Sequence, residues 1–439
     1  MATILWNENS GTFDWTDPTQ WEGGAVPGSG DTAKLSGTQH VSIAKIDTAI
    51  AVHEIIMNAV HSTIDEISTG SITATELDYI SGTLILNAVN TFTTVDIGSY
   101  VEIGADGALG KRAVFEQGGM IEADANVNFR NALNIQNDAQ LSAKAGFTET
   151  TWGAISADTL PEATDVSAQI FFGSTNALYG DANATGTVEL GGTSFALNSE
   201  DGLIIEIMGG TVKSGSGQHA LGADEMFNDA TQVTLDSHTL LDVGHFGTAV
   251  TLSNLTGQGT LEDSGDAVTI TLTAADFTGT ISGNSKLATS GANVLAGGIG
   301  NASIAMAASS SLDLVEATGH YTLTSAGLGA RLTIGSGTVN HIDGFNSGNL
   351  TIDTNFAQYD LVVFKSGDGY EQAVIHPGHG AATTSIYFYG LTSSAGINVG
   401  NDGSEHLQFT YGAPAEHAAA IENAVAEASF VPMDHGLFG

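Results

Sequence analysis

Short alternating runs of aliphatic and polar residues, separated by Gly-rich turns, occupy the chain from about residue 40 to residue 340. In each run two aliphatic residues flank one polar residue, so the aliphatic side chains face one side of a strand and the polar side chain faces water. The clearest runs are Thr94-Val-Asp-Ile97, Tyr100-Val-Glu-Ile103, Thr187-Val-Glu-Leu190, Gln232-Val-Thr-Leu235, Ala249-Val-Thr-Leu252, Ala267-Val-Thr-Ile270 and Arg331-Leu-Thr-Ile334. The pattern predicts many half-buried β-strands.

The spacing between these runs varies around ~20 residues, unlike that of strict hexapeptide or nonapeptide repeats. A right-handed parallel β-helix tolerates such variation. We therefore predict an all-β fold in which residues 37–340 form a β-solenoid of stacked coils. Aromatic residues make up only 7% of the chain, against 42% hydrophobic residues in total. A narrow core built from Ala, Val, Ile and Leu is consistent with that composition.

The two ends of the chain differ from this repetitive part. Residues 1–36 contain Trp6, Trp15 and Trp21, and we interpret them as an N-terminal cap over the open edge of the first coil, with a sugar-stacking platform as the alternative. Residues 341–412 are richer in aromatic side chains and are predicted to form a β unit that closes the solenoid. Residues 413–439 have helical spacing and form a short C-terminal appendage.

Charge narrows the range of partners. The chain contains 49 Asp and Glu against 10 Lys and Arg, which gives a formal net charge of −39. Such a surface repels nucleic acid and anionic membranes, so we expect neither as a partner. It also repels other copies of the chain. Close association between copies therefore needs screening, or divalent cations such as calcium, which prefer carboxylate and carbonyl oxygen ligands.

Cysteine is absent, which removes disulfides and thiolate metal sites from consideration. The first residues, Met1-Ala-Thr-Ile-Leu-Trp6, contain neither the basic segment nor the apolar run of a secretory signal peptide, so we expect export by another route. No apolar run reaches the ~20 residues needed to span a membrane, and we expect no membrane insertion.

The few basic residues are unevenly distributed, since Lys111, Arg112, Arg130 and Lys144 fall close together. If the local coil is about 18 residues long, Arg112 and Arg130 lie on adjacent coils. We interpret Lys111, Arg112 and Arg130 as a contact that receives the acidic face of a neighbouring subunit. Ordinary surface ion pairing is the alternative.

The sequence offers no distinct catalytic motif, and we predict that the protein is not an enzyme. Carboxylate pairs such as Asp224 with Glu225, or Asp236 with Asp242, are expected by chance among so many acids. His376 and His379 flank a Pro-Gly turn, and two imidazoles make an incomplete metal site.

Two stretches resemble known families. Leu252–Asp263, followed by Asp276–Asn284, is similar to the repeats of autotransporter passenger domains, which implies a right-handed parallel β-helix. Asp343–Asp353, Ser385–Gly390 and the hydrophobic tail resemble the C-terminal region of proteins exported by type I secretion, which implies an uncleaved secretion signal at 413–439. Degenerate forms of that group's calcium repeats, together with an N-terminal turn, suggest Asp368, Asp402 and Asp31 as calcium ligands.

Taken together, these features predict a secreted, extracellular protein at the bacterial cell surface that associates with itself into a filament, sheet or surface layer. Head-to-tail contacts between coil ends that do not close a ring generate fibres. The alternative is a carbohydrate-binding adhesin at the cell surface. A polysaccharide-active β-helix enzyme is the third possibility. The side chains that we expect to form the glycan platform of an adhesin are Trp152, Tyr179, Phe171 and Phe172.

Overall fold

The chain is nearly all β and folds as a parallel β-solenoid of about 14 stacked coils, which confirms the predicted fold class. The computed structural model describes residues 1–7, 9–37, 40–112, 114–116, 118–136, 138–151, 153–158, 168–173, 185–191, 195–197, 202–214, 223–265, 268–343, 345, 349–355, 359–377, 382–391, 394–401 and 406–412. The interpretation of 413–439 as a secretion signal lies outside these residues.

The strands, in chain order, are β1 (Thr3–Leu5), β2 (Gly11–Asp14), β3 (Thr32–Ser36), β4 (Ser42–Ile46), β5 (Ala49–Ala51), β6 (Glu54–Glu66), β7 (Ser71–Leu86), β8 (Thr91–Ile97), β9 (Tyr100–Ile103), β10 (Val114–Glu116), β11 (Gly119–Ala123), β12 (Val127–Phe129), β13 (Leu133–Gln136), β14 (Asp138–Ala143), β15 (Thr148–Thr151), β16 (Ile155–Asp158), β17 (Ala168–Phe172), β18 (Thr187–Leu190), β19 (Phe195–Leu197), β20 (Leu203–Ile207) and β21 (Thr211–Ser214).

They continue as β22 (Ala230–Leu235), β23 (Leu240–Asp242), β24 (Ala249–Ser253), β25 (Leu255–Gly257), β26 (Thr260–Glu262), β27 (Thr269–Thr273), β28 (Asp276–Phe277), β29 (Thr280–Ser282), β30 (Lys286–Ser290), β31 (Ala292–Leu295), β32 (Gly298–Met306), β33 (Ser311–Leu314), β34 (Thr318–Ala326), β35 (Ala330–Ile334), β36 (Val339–Ile342), β37 (Leu350–Thr354), β38 (Tyr359–Gly367), β39 (Tyr370–Pro377), β40 (Thr384–Tyr389), β41 (Ile397–Asn401) and β42 (Leu407–Tyr411).

Helical structure is sparse among the described residues. One α-helix, α1, runs from Ala223 to Asp229. Short 3-10 turns occur at Pro18–Gln20, Glu22–Gly24 and Ser394–Gly396, and no described helix is long and apolar enough to cross a membrane.

The chain divides into two compact units. The first contains Met1–Thr271 and Thr278–Ser285, and the second contains Leu272–Phe277 and Lys286–Gly439. The boundaries predicted at residues 36 and 340 stay predictions.

Within the first unit, parallel in-register pairing places aliphatic residues of one coil on aliphatic residues of the next. Val95 pairs with Val114, Val114 with Leu133, and Leu133 with Ile155. All four are almost fully buried, because each aliphatic residue of the alternating pattern lies directly over that of the next coil. Full burial of each such side chain contributes about 1.5–3 kcal/mol. Most neighbouring coils in this part of the chain are offset by about 20 residues, as the spacing of the runs predicts.

Turns between coils are held by side-chain amides that point inward. The Asn90 side chain accepts a hydrogen bond from the Ile72 N–H at 2.6 Å and donates to the Ala108 carbonyl at 2.9 Å. Gly257 lies where no other residue fits, because its φ is +106° and a Cβ would sit 2.0 Å from the Leu235 carbonyl oxygen. These hydrogen bonds and this glycine define the conformation of the turns that connect the strands.

The core of the first unit also contains ionisable side chains. Glu149 is fully buried and aligned between Val127 and Val188 of the adjacent coils. Burial raises its pKa to about 8, despite hydrogen bonds from Thr151 and from the backbone of Ser142. A carboxyl in this environment is therefore uncharged at neutral pH.

Pairing in the second unit changes from parallel to antiparallel toward its C-terminal end. β36 pairs with β40 in parallel, and β40, β39 and β38 then pair antiparallel. β37 pairs antiparallel with β42, and β42 with β41. Three buried rings fill the core here, with 4.6 Å between the centroids of Phe345 and Phe388 and 6.2 Å between those of Phe388 and Phe409.

Candidate functional site

The predicted calcium ligands do not assemble into a site among the described residues. The Asp31 carboxylate accepts the N–H groups of Ala2 and Gly28, each at 3.2 Å, and these backbone bonds lower its pKa. Asp368 is exposed in the turn between β38 and β39, and Asp402 lies outside the described residues. No group of three carboxylate or imidazole side chains in the described part of the chain is arranged to hold a metal ion. Calcium binding by these three residues stays a prediction, because Asp402 is not among the residues that the structure describes.

The three tryptophans of the N-terminal segment form one buried cluster. The Trp21 ring lies 4.8 Å from the rings of both Trp6 and Trp15, measured between centroids. The Trp21 indole donates to the Trp15 carbonyl at 2.7 Å, and the Trp6 indole donates to Ser42 at 2.9 Å. All three side chains are at most 4% exposed, so they offer no face to a sugar ring.

Lys111, Arg112 and Arg130 form an exposed group that we call the basic patch. The Asn131 side chain donates to the Arg112 carbonyl at 2.8 Å, and Val114 pairs with Leu133 in the strands that follow. The local offset is thus one residue longer than the 18 that stacking of the two arginines requires. Arg130 lies beside the stacking position, on the adjacent coil.

The basic patch differs in ion pairing from four of the other cations, whereas Lys34, Lys286 and Lys365 also have no carboxylate partner among the described residues. Lys45, Lys144, Lys213 and Arg331 each pair with a carboxylate of their own chain. Within the described residues, none of the three patch cations has such a partner. The described residues therefore do not form the ordinary ion pairs at the patch that the alternative interpretation requires.

Carboxylates stack on the outer face of β6, β7 and β8, in an arrangement that we call the acidic ladder. Glu54 pairs with Glu76, and Asp78 pairs with Asp96, on neighbouring coils. Burial is the main cause that raises the pKa values of Glu76, Asp78 and Asp96, and like charge from the other carboxylates of the ladder adds to it. A cation brought to this face would relieve that repulsion.

A second polar cluster lies on the outer face of β9, β11 and β14. Lys144 Nζ lies 2.5 Å from Glu102 Oε2, and the Tyr100 hydroxyl donates to Glu102 at 3.1 Å and to Glu122 at 3.2 Å. Burial, together with the hydrogen bond and negative charge of Glu102, raises the pKa of Asp124 to about 6. Glu122 is fully buried and Lys144 is engaged by Glu102. These contacts fit an ion-pair network that ties neighbouring coils together.

Sequence inspection picked out Lys144 but missed its carboxylate partners. Their signal is the spacing of about 20 residues that separates Glu102, Glu122 and Lys144, which becomes visible only once the coil length is known. Two of the acids that were paired from sequence interact with other residues. Burial raises the pKa of Glu206, and the negative charge of Asp236 adds to this effect. The Asp242 carboxylate accepts a hydrogen bond from the Ser264 hydroxyl at 2.8 Å.

The glycan platform predicted from sequence is not assembled as expected. Phe172 is fully buried in the core, because it occupies an inward position of β17, and this part of the prediction is wrong. Phe171 faces outward and is half-buried. Trp152 and Tyr179 lie outside the described residues. His376 is exposed, and its proposed partner His379 is also outside the described residues.

No family model, no curated protein and no solved structure matches this chain.

Proposed function

We propose that this protein is a structural component that associates with copies of itself at the bacterial cell surface, through contact of the basic patch of one copy with the acidic ladder of another. The observation that carries the proposal is the basic patch itself: three exposed cations, close together, that form no ion pair with the described residues of their own chain, in a protein of net charge −39. The self-association, extracellular location and export by a type I-like route predicted from sequence belong to the same proposal.

Electrostatics supports the contact in two ways. The patch and the ladder both belong to the first unit, so every copy carries both partners of a head-to-tail contact. A cation that approaches the ladder also stabilises its charged carboxylates. The pKa values of three of them are raised, mainly by burial and in addition by the like charge of their neighbours. Oppositely charged patches steer association at distances up to a Debye length of about 8 Å at physiological salt.

Divalent cations would bridge carboxylates of neighbouring copies in this assembly. Calcium is a hard ion that takes six to eight oxygen ligands. Because the described residues of one chain present no group of three ligands, a bridging ion would draw its carboxylates from two copies. Such bridges would also lower the repulsion that the net charge imposes on any close packing.

Reversing the charges on both sides tests the contact. We expect Arg112→Glu/Arg130→Glu protein to remain dispersed, and Glu54→Lys/Glu76→Lys protein to do the same, because each places like charges against like. Mixed in equal amounts, the two variants should assemble again, since each patch then meets a ladder of opposite sign. Sedimentation velocity and negative-stain electron microscopy, with calcium and with a chelator, report the outcome.

The matched control is Lys286→Glu/Lys365→Glu. It changes the net charge by the same amount as the arginine variant, but at exposed positions of the second unit. Assembly of this control together with dispersal of the arginine variant supports the patch. Unchanged assembly of the arginine variant, or a mixture that stays dispersed, contradicts the proposed contact.

A further inference from the structure

One outer face of the second unit carries an aromatic group that the assembly contact does not use. Tyr387 and Tyr389 alternate with buried Phe388 along β40, so both point outward and are half-buried. His341 of β36 pairs with Tyr387, and Tyr370 of β39 pairs with Tyr389. We call these four side chains the tyrosine–histidine platform.

Ring contacts and hydrogen bonds hold the platform in place. The His341 ring lies 5.1 Å from the Tyr387 ring at 8° and 5.7 Å from the Tyr389 ring at 15°, and Tyr370 meets Tyr387 edge-on at 5.3 Å. The His341 Nδ1 lies 2.9 Å from the Tyr389 hydroxyl, and Gln372 donates to the Tyr387 hydroxyl at 3.0 Å. Rings fixed in this way lose little conformational freedom when a ligand binds.

A cavity of about 260 Å³ lies on the β34 side of His341. Asn301, Ser303, His320, Thr322 and His341 contribute to its lining. His341 stands between this cavity and the tyrosines, because β36 lies between β34 and β40 in the sheet. Pockets for drug-sized ligands are about 300–1,000 Å³. The cavity is smaller, which suits one sugar ring with its hydroxyls on the amide, hydroxyl and imidazole groups of the lining.

The charge along this face differs in sign from the net charge of the chain. One row of paired outward positions crosses seven strands: Lys286, Ser303, Thr322, His341, Tyr387, Gln372 and Lys365. The row contains no carboxylate and has an exposed lysine at each end.

The first unit shows the contrast. There, one outward row of paired positions contains Glu189, Lys213, Asp242 and Glu262. An anionic ligand would meet like charge on that row, whereas the face with the platform is flanked by cations. Two acidic residues lie beside the platform along the chain: Asp343 follows β36 directly, and Glu371, next to Tyr370, points inward and is buried.

From the cavity, the platform and the flanking lysines we infer that this face binds an acidic polysaccharide, with one uronic acid residue in the cavity against His341 and the following residues across Tyr387 toward Lys365. The sugar hydroxyls pair with the polar lining, and the apolar face of the ring packs on the aromatic side chains. Lys286 lies on the cavity side of the row and balances the carboxylate there, whereas Lys365, at the far end of the row, balances a carboxylate further along the polysaccharide.

Calorimetric titration of the full chain with oligogalacturonate, and with a cello-oligosaccharide of equal length as the neutral arm, tests the site. We expect oligogalacturonate to bind more tightly than the neutral chain. His341→Ala/Tyr387→Ala should weaken binding at least about tenfold, given the usual contribution of paired aromatic contacts. Thr351→Ala, on the outer face of β37 in the same unit, is the matched control and should bind as the wild type does.

Two further variants keep the test decisive if the double variant does not fold. Thr322→Trp should fill the cavity and abolish binding while every platform ring remains. Lys286→Glu/Lys365→Glu should weaken binding of oligogalacturonate alone. Circular dichroism and thermal melting establish that each variant is folded.

Three results would overturn the inference: no binding of either glycan by the wild type, wild-type affinity in the cavity and ring variants, or equal binding of the neutral chain. Because the arginine variant of the basic patch leaves this face intact, it should bind glycan normally whether or not copies associate. Failure of the glycan site and failure of the assembly contact are thereby distinguished.

Discussion

Replacing Glu149 by Gln should make the protein more stable at alkaline pH and leave its stability at mildly acidic pH almost unchanged. Glu149 is fully buried between Val127 and Val188, and burial raises the pKa of its carboxyl from an ordinary value of 4.5 to about 8. The folded state therefore holds the proton more tightly than the unfolded state. The stability that this group contributes is fully present below pH 4.5 and is lost as pH rises, until the loss is complete above about pH 8.

The size of the effect follows from the same two pKa values. Each unit of difference corresponds to about 1.4 kcal/mol, so the full loss is on the order of 5 kcal/mol. The side chain is not exposed, so solvent screening does not reduce this figure as it would at the surface. Gln keeps the oxygen that accepts from Thr151 and resembles the protonated carboxyl in shape, but it does not ionise.

Urea unfolding followed by circular dichroism at several pH values between 4.5 and 9 measures the difference. We expect the free energies of unfolding of wild type and Glu149→Gln to diverge from pH 4.5 to about pH 8 and then to differ by a constant amount. Glu316→Gln, at an exposed position, is the control and should show no such divergence. A difference between Glu149→Gln and wild type that is constant with pH would refute the assignment of a neutral, buried carboxyl.

Two further predictions concern the packing of the first unit. Trp21→Ala should lower the free energy of unfolding by about 3–5 kcal/mol, because it removes a fully buried ring from the tryptophan cluster; an unchanged melting temperature would contradict this. Lys144→Met should destabilise the protein by about 1–3 kcal/mol, because it leaves the Glu102 carboxylate without its cation. The double variant Lys144→Met/Glu102→Gln should recover part of this loss. Additive effects of the two substitutions would show that the pair is not coupled.

The sequence alone determined the class of fold, because the information is local. A period of two along each strand decides which side chains turn inward, and the runs around Val95, Val101 and Leu332 are strands with those aliphatic residues buried. The approximate coil length could also be predicted, since the runs recur at that spacing. The same rule decides that Phe172 is buried, and its place in the predicted glycan platform was an error that alternation along β17 could have prevented.

Which residues of different coils lie side by side was decided only by the tertiary structure. Coils differ in length, so the residue stacked on a given position cannot be counted along the chain. Asn131 rather than Arg130 lies beside Arg112 for this reason. His341 and Tyr387 pair although β37, β38 and β39 lie between their strands along the chain, and no local sequence pattern predicts this pairing. Alternation is a property of one strand, whereas a binding face is made by the register between strands, and that register is set by the turns and insertions that the repeat does not specify.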